Sequence, residues 1–337
     1  MRGMILAAGL GTRLRPLTYV MPKPMAPVLD APVMEHGLRL LADAGFGEVI
    51  ANVSYMPERI REHFGDGSGV GVELSYSEEP VPLGTAGGVG KVRDFLAADD
   101  SFLVISGDAL TDIDLGALRD AHESHNGIAT IAMKRVEDTS QFGVAITDPD
   151  GRIQGFQEKP DPSEALSNLA NCGIYAFRSE IFDYFPGPDH HSPAGDPDQP
   201  PGFVDWAQDV FPALLDGDVP FYAHEIDAYW NDIGSVPEYL QGNFDALRGK
   251  VSLRRPPEVA EGVLASDESI LAGAEVIAPV MVGDGAELGA GVELRGPVVI
   301  GAGARVGDGG RLREAVVLPG AEVPTGSVCV GGLFGTS

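Results

Sequence analysis

The sequence predicts an α/β chain in two parts: a Rossmann-like, mostly parallel sheet with helices on both faces over residues 1–250, then a left-handed parallel β-helix over 258–332. Three observations carry this reading. Apolar runs of strand length alternate with segments of helical periodicity through the first part, the pattern of a parallel sheet covered on both sides. From Leu264 an aliphatic residue recurs every six positions, through Ile270, Val276, Val282, Leu288, Leu294, Ile300, Val306, Leu312 and Leu318. The length, 337 residues, fits two domains at about 150 residues each.

In chain order, Met4–Ala8 reads as a buried strand that stops at Gly9. Met34, Leu38 and Leu41 fall at helical spacing between Pro32 and Asp43, and Glu48–Val53 is a second strand. Pro57 opens a helix that ends at Phe64, before Gly65. Val72–Tyr76 is a third strand, a helix is expected from about Gly88 to Ala97, and Ser101–Ser106 is a fully apolar strand. Asp114 caps a helix through Ser124, and His122 and His125, three apart, are read as helical and expected to face solvent. Pro149-Asp-Gly151 is a hairpin turn, and a hairpin there would hang from the sheet as a lid. The Pro-, Gly-, Asp- and His-rich stretch 187–202 reads as a mobile surface loop, and His190-His191 lacks a third ligand nearby and is not read as a metal site.

The six-residue period suits neither a helix face nor an amphipathic strand. It is the hexapeptide repeat of a parallel β-helix, whose coils turn a corner every sixth residue and point aliphatic side chains inward. No aromatic residue lies between Phe244 and Phe334, and Arg254-Arg-Pro-Pro257 is the expected hinge. The last half of this part has no histidine to serve as a general base, so a structural, homo-oligomerising role is expected. The net charge of −27 argues against nucleic acid or an anionic membrane surface as partner. Cys172 and Cys329 have no metal-ligand spacing and read as free thiols. With no apolar run of membrane length and no signal-like N-terminus, a cytoplasmic location is expected.

Chemistry concentrates at the first turn. Gly9 and Gly11 allow backbone N–H groups to converge on one anion, and Arg13, Arg15 and Lys23 follow in a chain otherwise short of cations. A Gly-rich turn with cations close by suits a polyphosphate ligand. The stretch is not a Walker loop, having no Gly-Lys-Ser/Thr, nor a dinucleotide fingerprint, because Leu14 stands where the third glycine belongs. Asp108 follows a buried strand, where it serves either as a turn or cap residue or as a hard oxygen ligand for Mg²⁺ bridging phosphates. Asp232, in Tyr229-Trp-Asn-Asp-Ile-Gly234, is a second candidate.

The run Leu6-Ala-Ala-Gly-Leu-Gly-Thr-Arg-Leu-Arg-Pro-Leu-Thr18 with Pro22-Lys-Pro-Met25 resembles the opening of the sugar-1-phosphate nucleotidylyltransferases, and within them the mannose-1-phosphate guanylyltransferase branch. Matches extend to about residue 245. The resemblance implies an NTP and a sugar 1-phosphate as substrates, an NDP-sugar and pyrophosphate as products, and Mg²⁺ held by Asp108 and Asp232. By the same resemblance Leu6, Ala7, Ala8, Gly9, Gly11, Thr12, Glu79, Gly84 and Thr85 bind the nucleotide. Arg13 would steady the departing pyrophosphate, and Lys23 would hold the α-phosphate and the attacking phosphate. Gln141-Phe-Gly143, Glu158, Lys159 and Asn171 resemble the family's sugar-phosphate contacts.

The loop Glu78–Gly87 corresponds to the family's base-binding loop. An ionised carboxylate such as Glu79 only accepts hydrogen bonds, and guanine offers two adjacent donors on its Watson–Crick edge, so Glu79 favours guanine. With the resemblance to the guanylyltransferase branch, GTP and mannose 1-phosphate are the pair implied. The alternatives are a uridylyl-, thymidylyl- or adenylyltransferase acting on glucose 1-phosphate, or a non-catalytic NDP-sugar-binding regulator.

Overall fold

The computed structural model describes residues 1–187, 189–193 and 202–335. Of the loop expected at 187–202, residues 188 and 194–201 lie outside the described residues. The chain forms two compact units. The first comprises Met1–Leu10, Gly37–Ala109 and Ile113–Trp230, and the second Gly11–His36, Leu110–Asp112 and Asn231–Ser337. The division therefore falls inside the glycine turn, between Leu10 and Gly11.

The first unit is built on a nine-stranded sheet. Strands β1 (Arg2–Ala7), β2 (Glu48–Val53), β3 (Glu73–Glu78) and β4 (Ser101–Ser106) run parallel in the order β4-β1-β2-β3. Strands β5 (Ala129–Arg135), β6 (Gly143–Thr147), β7 (Ile153–Glu158), β8 (Leu169–Arg178) and β9 (Tyr222–Glu225) make the other half. There β8 is antiparallel to β4, β5 and β6, while β6 and β7 form the hairpin expected around Gly151, so the sheet as a whole is mixed. The expected β2 and β4 match to the residue, because apolar runs bounded by turns leave little freedom in where a buried strand starts and stops.

Three helices of the first part are also where the sequence puts them. Helix α1 spans Val33–Asp43, and α2 (Pro57–Phe64) opens on its proline and closes at Gly65, whose φ is +53°. Helix α3 (Gly84–Lys91) starts four residues earlier than expected and breaks at Val92, with a short turn, Arg93–Leu96, after it. Its start is fixed from outside the local sequence, since Val204 O accepts from Ala86 N and Gly87 N. Helix α4 (Leu115–Glu123) is capped as expected, Asp114 Oδ1 accepting from Ala117 N at 2.9 Å. The core between sheet and helices is rich in aromatics: Phe177 stacks on Trp206 with ring centres 4.5 Å apart, and Phe211 lies between Trp206 and Phe221.

The second unit is the β-helix with the segments that pack on it. Four of its strands, β10 (Val280–Val282), β11 (Glu293–Ile300), β12 (Arg311–Val317) and β13 (Val328–Phe334), stack in parallel. Val280 pairs with Val298 and Glu275 with Glu293, eighteen residues apart, so three hexapeptides make one coil. The expected inward positions Val282, Leu294, Ile300, Val306 and Leu312 are buried together. The period then loses a residue: Val298 pairs with Ala315 and Ile300 with Val317, not with Leu318. Gly296-Pro297 in one coil faces the single residue Glu314 in the next, which takes a left-handed φ of +51° to turn the tighter corner. Helix α5 (Val236–Leu247), capped by Ser235, lies against β11 and β12. From it Tyr239 OH donates to Pro27 O at 2.7 Å, and Asn243 Oδ1 accepts from Leu29 N at 2.9 Å. Those bonds hold the small hairpin Pro27–Val28/Ala31–Pro32. Among the described residues no helix is long and apolar enough to cross a membrane.

His122 corrects the expectation of a solvent-facing pair. It is fully buried, and His125, which lies past the end of α4, is half-buried. His122 Nδ1 and His125 Nε2 both meet Thr130 Oγ1, at 2.8 and 3.1 Å, and His122 Nε2 has no hydrogen-bond partner among the described residues. Burial, with Arg178 and His125 nearby, takes the His122 imidazole from its usual 6.5 down to about 4. The folded chain therefore holds this side chain neutral where the unfolded chain protonates it, and stability falls as pH drops from about 6.5 to about 4. Denaturant titrations across that window should show a loss on the order of 3 kcal/mol from this group, which His122→Gln should largely abolish.

Candidate active site

Parallel strands β1 and β4 pair Leu6 with Ser106, so their carboxyl ends open on the same edge of the sheet. A pocket of about 260 Å³ lies there, walled by Leu6, Ala8, Gly9, Asn52, Glu79, Pro82, Gly84, Thr85, Ser106, Asp108 and Phe203. It brings together Leu6, Ala8, Gly9, Glu79, Gly84 and Thr85, expected for the nucleotide, with Asp108, expected for the metal. A more open hollow of about 540 Å³ beside Arg135 and Leu166 contains none of the expected site residues.

The floor is set by Asn52, a polar residue buried on β2. Its Oδ1 accepts from Ala7 N at 2.8 Å and its Nδ2 donates to Glu79 Oε1 at 2.9 Å. Glu79 is 1% exposed, and its Oε2 accepts from Leu83 N at 2.9 Å. Gly88 has to be glycine, because a Cβ there would stand 2.6 Å from Glu79 Oε1 and 2.7 Å from Asn52 Nδ2. Both oxygens of Glu79 thus hold protein groups. The carboxylate shapes the loop as well as lining the pocket, with one acceptor site on each oxygen taken by the protein. Across the pocket Ser106 Oγ donates to Asp108 Oδ1 at 2.5 Å, and Gly107 N donates to Leu6 O at 2.8 Å, which pins the turn carrying Asp108 to β1.

The sugar-side residues gather at the free ends of β6 and β7, where Gly143 pairs with Glu158. Lys159 Nζ meets Glu158 Oε1 at 3.1 Å, and both side chains are exposed. A Cβ on Gly143 would stand 3.0 Å from Glu158 Oε2. Asn171 uses its Nδ2 on Tyr175 OH at 3.1 Å and its Oδ1 on Gly173 N at 2.9 Å, at the bulge in β8. Burial pushes the Tyr175 hydroxyl and the Cys172 thiol up. Both cysteines are free thiols.

The second unit carries Gly11, Thr12, Arg13, Lys23 and Asp232. Gly11 sits at φ +60°, and a Cβ there would be 2.9 Å from Lys23 Cβ, so the glycine lets the Lys23 stem pack against the turn. Thr18 Oγ1 donates to Gly11 O at 2.8 Å and closes that turn. Lys23 is 9% exposed and its Nζ donates to Asp232 O at 3.0 Å. Asp232 Oδ1 accepts from Gly234 N at 3.2 Å. Arg13 is exposed, and the Arg15 guanidinium lies over the Tyr19 ring, 5.1 Å from its centre. Among the described residues, no three or more His, Cys, Asp and Glu side chains cluster as a metal site.

Sequence reasoning missed Asn52, Pro82, Ser106 and Phe203. Asn52 had a signal, a lone amide in an apolar strand that must find partners if buried. Phe203 had none.

A glycine turn and an acidic residue at the ends of adjacent parallel strands form a frequent ligand-site arrangement of open α/β sheets. The nucleotidyl transferase family matches residues 2–249, and the chain belongs to that family. Over 264 residues the chain is 44% identical to the UTP--glucose-1-phosphate uridylyltransferase of Synechocystis; the match covers 75% of this chain but only 64% of the relative's length. It is 35% identical over 291 residues to the mannose-1-phosphate guanylyltransferase of Mycobacterium tuberculosis, covering 85% of this chain and 76% of that protein. A solved structure from Bacillus anthracis, described as a candidate glucose-1-phosphate thymidylyltransferase in complex with a sucrose, superposes with a TM-score of 0.64 at 26% identity, over 76% of this chain and 98% of that one.

Asn52→Leu keeps the volume and removes both amide bonds, leaving Ala7 N–H and Glu79 short of a partner. Chemical denaturation should show a loss of about 1–3 kcal/mol for each stranded buried group. An unchanged midpoint would mean the pocket floor does not rest on Asn52.

Proposed function

We propose that this chain transfers the nucleotidyl group of an NTP to a sugar 1-phosphate, releasing pyrophosphate and leaving an NDP-sugar. The observation that carries the reading is the pocket at the ends of β1 and β4, with Gly9 and Asp108 on its wall, in a chain whose family match covers that whole region. The phosphate of the sugar attacks the α-phosphorus in line, so positioning and charge neutralisation are what the protein has to supply.

Lys23 brings an ammonium on a largely buried side chain whose place is fixed by Gly11 and the Asp232 carbonyl; it counters the charge of two anions that would otherwise repel. Arg13, exposed on the next turn, is assigned to the departing pyrophosphate. Mg²⁺ fits the donor set. Asp108 offers hard carboxylate oxygen in the pocket, and Mg²⁺ binds through one or two carboxylates plus substrate phosphates without a larger cluster; Asp232 keeps the second metal-ligand role that the resemblance implies. When bound it supplies charge neutralisation on the phosphates. A homo-oligomer built through the β-helix and a cytoplasmic setting belong to the same proposal.

For the substrates, UTP with glucose 1-phosphate comes first. It is supported by the 44% identity to the uridylyltransferase. GTP with mannose 1-phosphate is the second reading, supported by the 35% identity to the guanylyltransferase over more of this chain.

Pyrophosphate release measured with UTP, dTTP, GTP and ATP against glucose and mannose 1-phosphates should be fastest for UTP with glucose 1-phosphate. A clear preference for GTP with mannose 1-phosphate would reverse the order, and no release with any pair would leave a regulatory relative. Lys23→Met, which keeps the buried stem, should lower kcat by roughly 100-fold or more at unchanged melting temperature. Turnover at the wild-type rate would remove Lys23 from the mechanism.

A further inference from the structure

Residues Gly202–Val210 lie along the start of α3, and the chemistry above gives them no role. Val204 O accepts from both Ala86 N, at 2.9 Å, and Gly87 N, at 3.0 Å, so one carbonyl serves two of the four amides that a helix start leaves open. Val204 N donates to Leu83 O at 2.9 Å. The approach is backbone on backbone: a Cβ on Gly84, at φ +84°, would collide with Val204 O.

Asp205 then ties the side chains. Its Oδ2 accepts from Thr85 Oγ1 at 2.9 Å, and Thr85 Oγ1 accepts in turn from Trp206 N at 3.1 Å. Its Oδ1 accepts from Ala207 N at 2.9 Å and Gln208 N at 3.1 Å, capping the π-helical turn Trp206–Val210. Its own N–H donates to Asp209 Oδ2 at 2.7 Å, and Asp209 Oδ1 meets His190 Nε2 at 2.8 Å. Trp206, next in sequence, anchors the strap in the aromatic core. Phe203, two residues before Asp205, lines the same pocket as Gly84 and Thr85. π-Helical turns are rare and are found frequently at functional sites.

We propose that Asp205 is a positioning residue for the nucleotide. Through Thr85 it fixes the Gly84–Thr85 wall of the pocket with the Phe203 ring beside Gly84, and it touches no reacting atom. The proposal rests on the nucleotidyl-transfer reading. It makes Thr85 a staple that shapes the pocket, with its hydroxyl spent on Asp205 and Trp206. The effect of removing the carboxylate therefore falls on nucleotide binding and spares the sugar phosphate and the chemical step.

Steady-state kinetics with the preferred substrate pair test this. Asp205→Ala should raise KM for the NTP roughly tenfold, while kcat and the KM for the sugar phosphate stay within about threefold. Asp205→Asn, which still accepts from the π turn and still reaches Thr85, should recover most of the loss. Thr85→Val should reproduce the defect, and the double variant should be no worse than the weaker single one, because both break the same link. A wild-type KM for the NTP in Asp205→Ala with only a lowered melting temperature would reduce Asp205 to a helix cap and overturn the proposal, as would additive losses in the double variant. If Asp205→Ala does not fold, Asp205→Asn and Thr85→Val carry the same comparison. If the wild type turns over no substrate pair, the functional reading fails on its own. Calorimetric binding of UTP and GTP to wild type and Thr85→Val then decides the positioning role, with a tenfold weaker Kd expected and equal Kd values contradicting it.

Discussion

The pocket depends on one side chain, Asn52, which joins the first strand to the loop that faces it. It takes the amide of Ala7 on one side and gives its own amide to Glu79 on the other, and Glu79 passes the link to Leu83. Each partner is buried or half-buried, so each bond is strong chiefly because breaking it strands a polar group away from water. The network excludes alternatives: with Asn52 and Glu79 locked, Gly88 must stay without a side chain. On the proposed reading, in which the pocket holds a triphosphate in line with a second phosphate, such rigidity serves rate, because small misplacements are costly.

The second unit applies the same logic to a cation. Gly11 adopts a left-handed backbone, the Lys23 stem packs against it, and the ammonium is turned to the Asp232 carbonyl. Tyr239 and Asn243 on α5 fix the hairpin that follows Lys23, and α5 itself is seated on the β-helix. The hexapeptide coils are thus continuous, through α5, with the segment carrying the lysine. A β-helix offers a stiff base because each coil is paired to the next along its length.

Much of this was legible in the sequence where local physics decides. Strands β2 and β4 are apolar runs with sharp ends, α2 is bracketed by Pro57 and Gly65, and the six-residue period marks the coils up to Glu314. What escaped was decided by residues distant in the chain. The start of α3 is set by Val204, Thr85 is claimed by Asp205, and His122 is buried by the contact with Thr130 on β5. Glu79 illustrates the limit best. A carboxylate in that loop is a candidate for reading guanine, and the structure adds that each of its oxygens also accepts from the protein, from Asn52 and from Leu83. The sequence alone cannot say which acceptors already carry a bond from a residue distant in the chain.

The central claim is that the triphosphate lies beside Gly9 and Asp108, with the base against the wall made by Asn52, Glu79 and Gly84. A crystal structure of the protein with a non-hydrolysable UTP analogue and Mg²⁺ measures this directly. The account predicts density for the triphosphate over Gly9 and metal density within ligand distance of Asp108. Nucleotide density elsewhere, with this pocket holding only water, would contradict it.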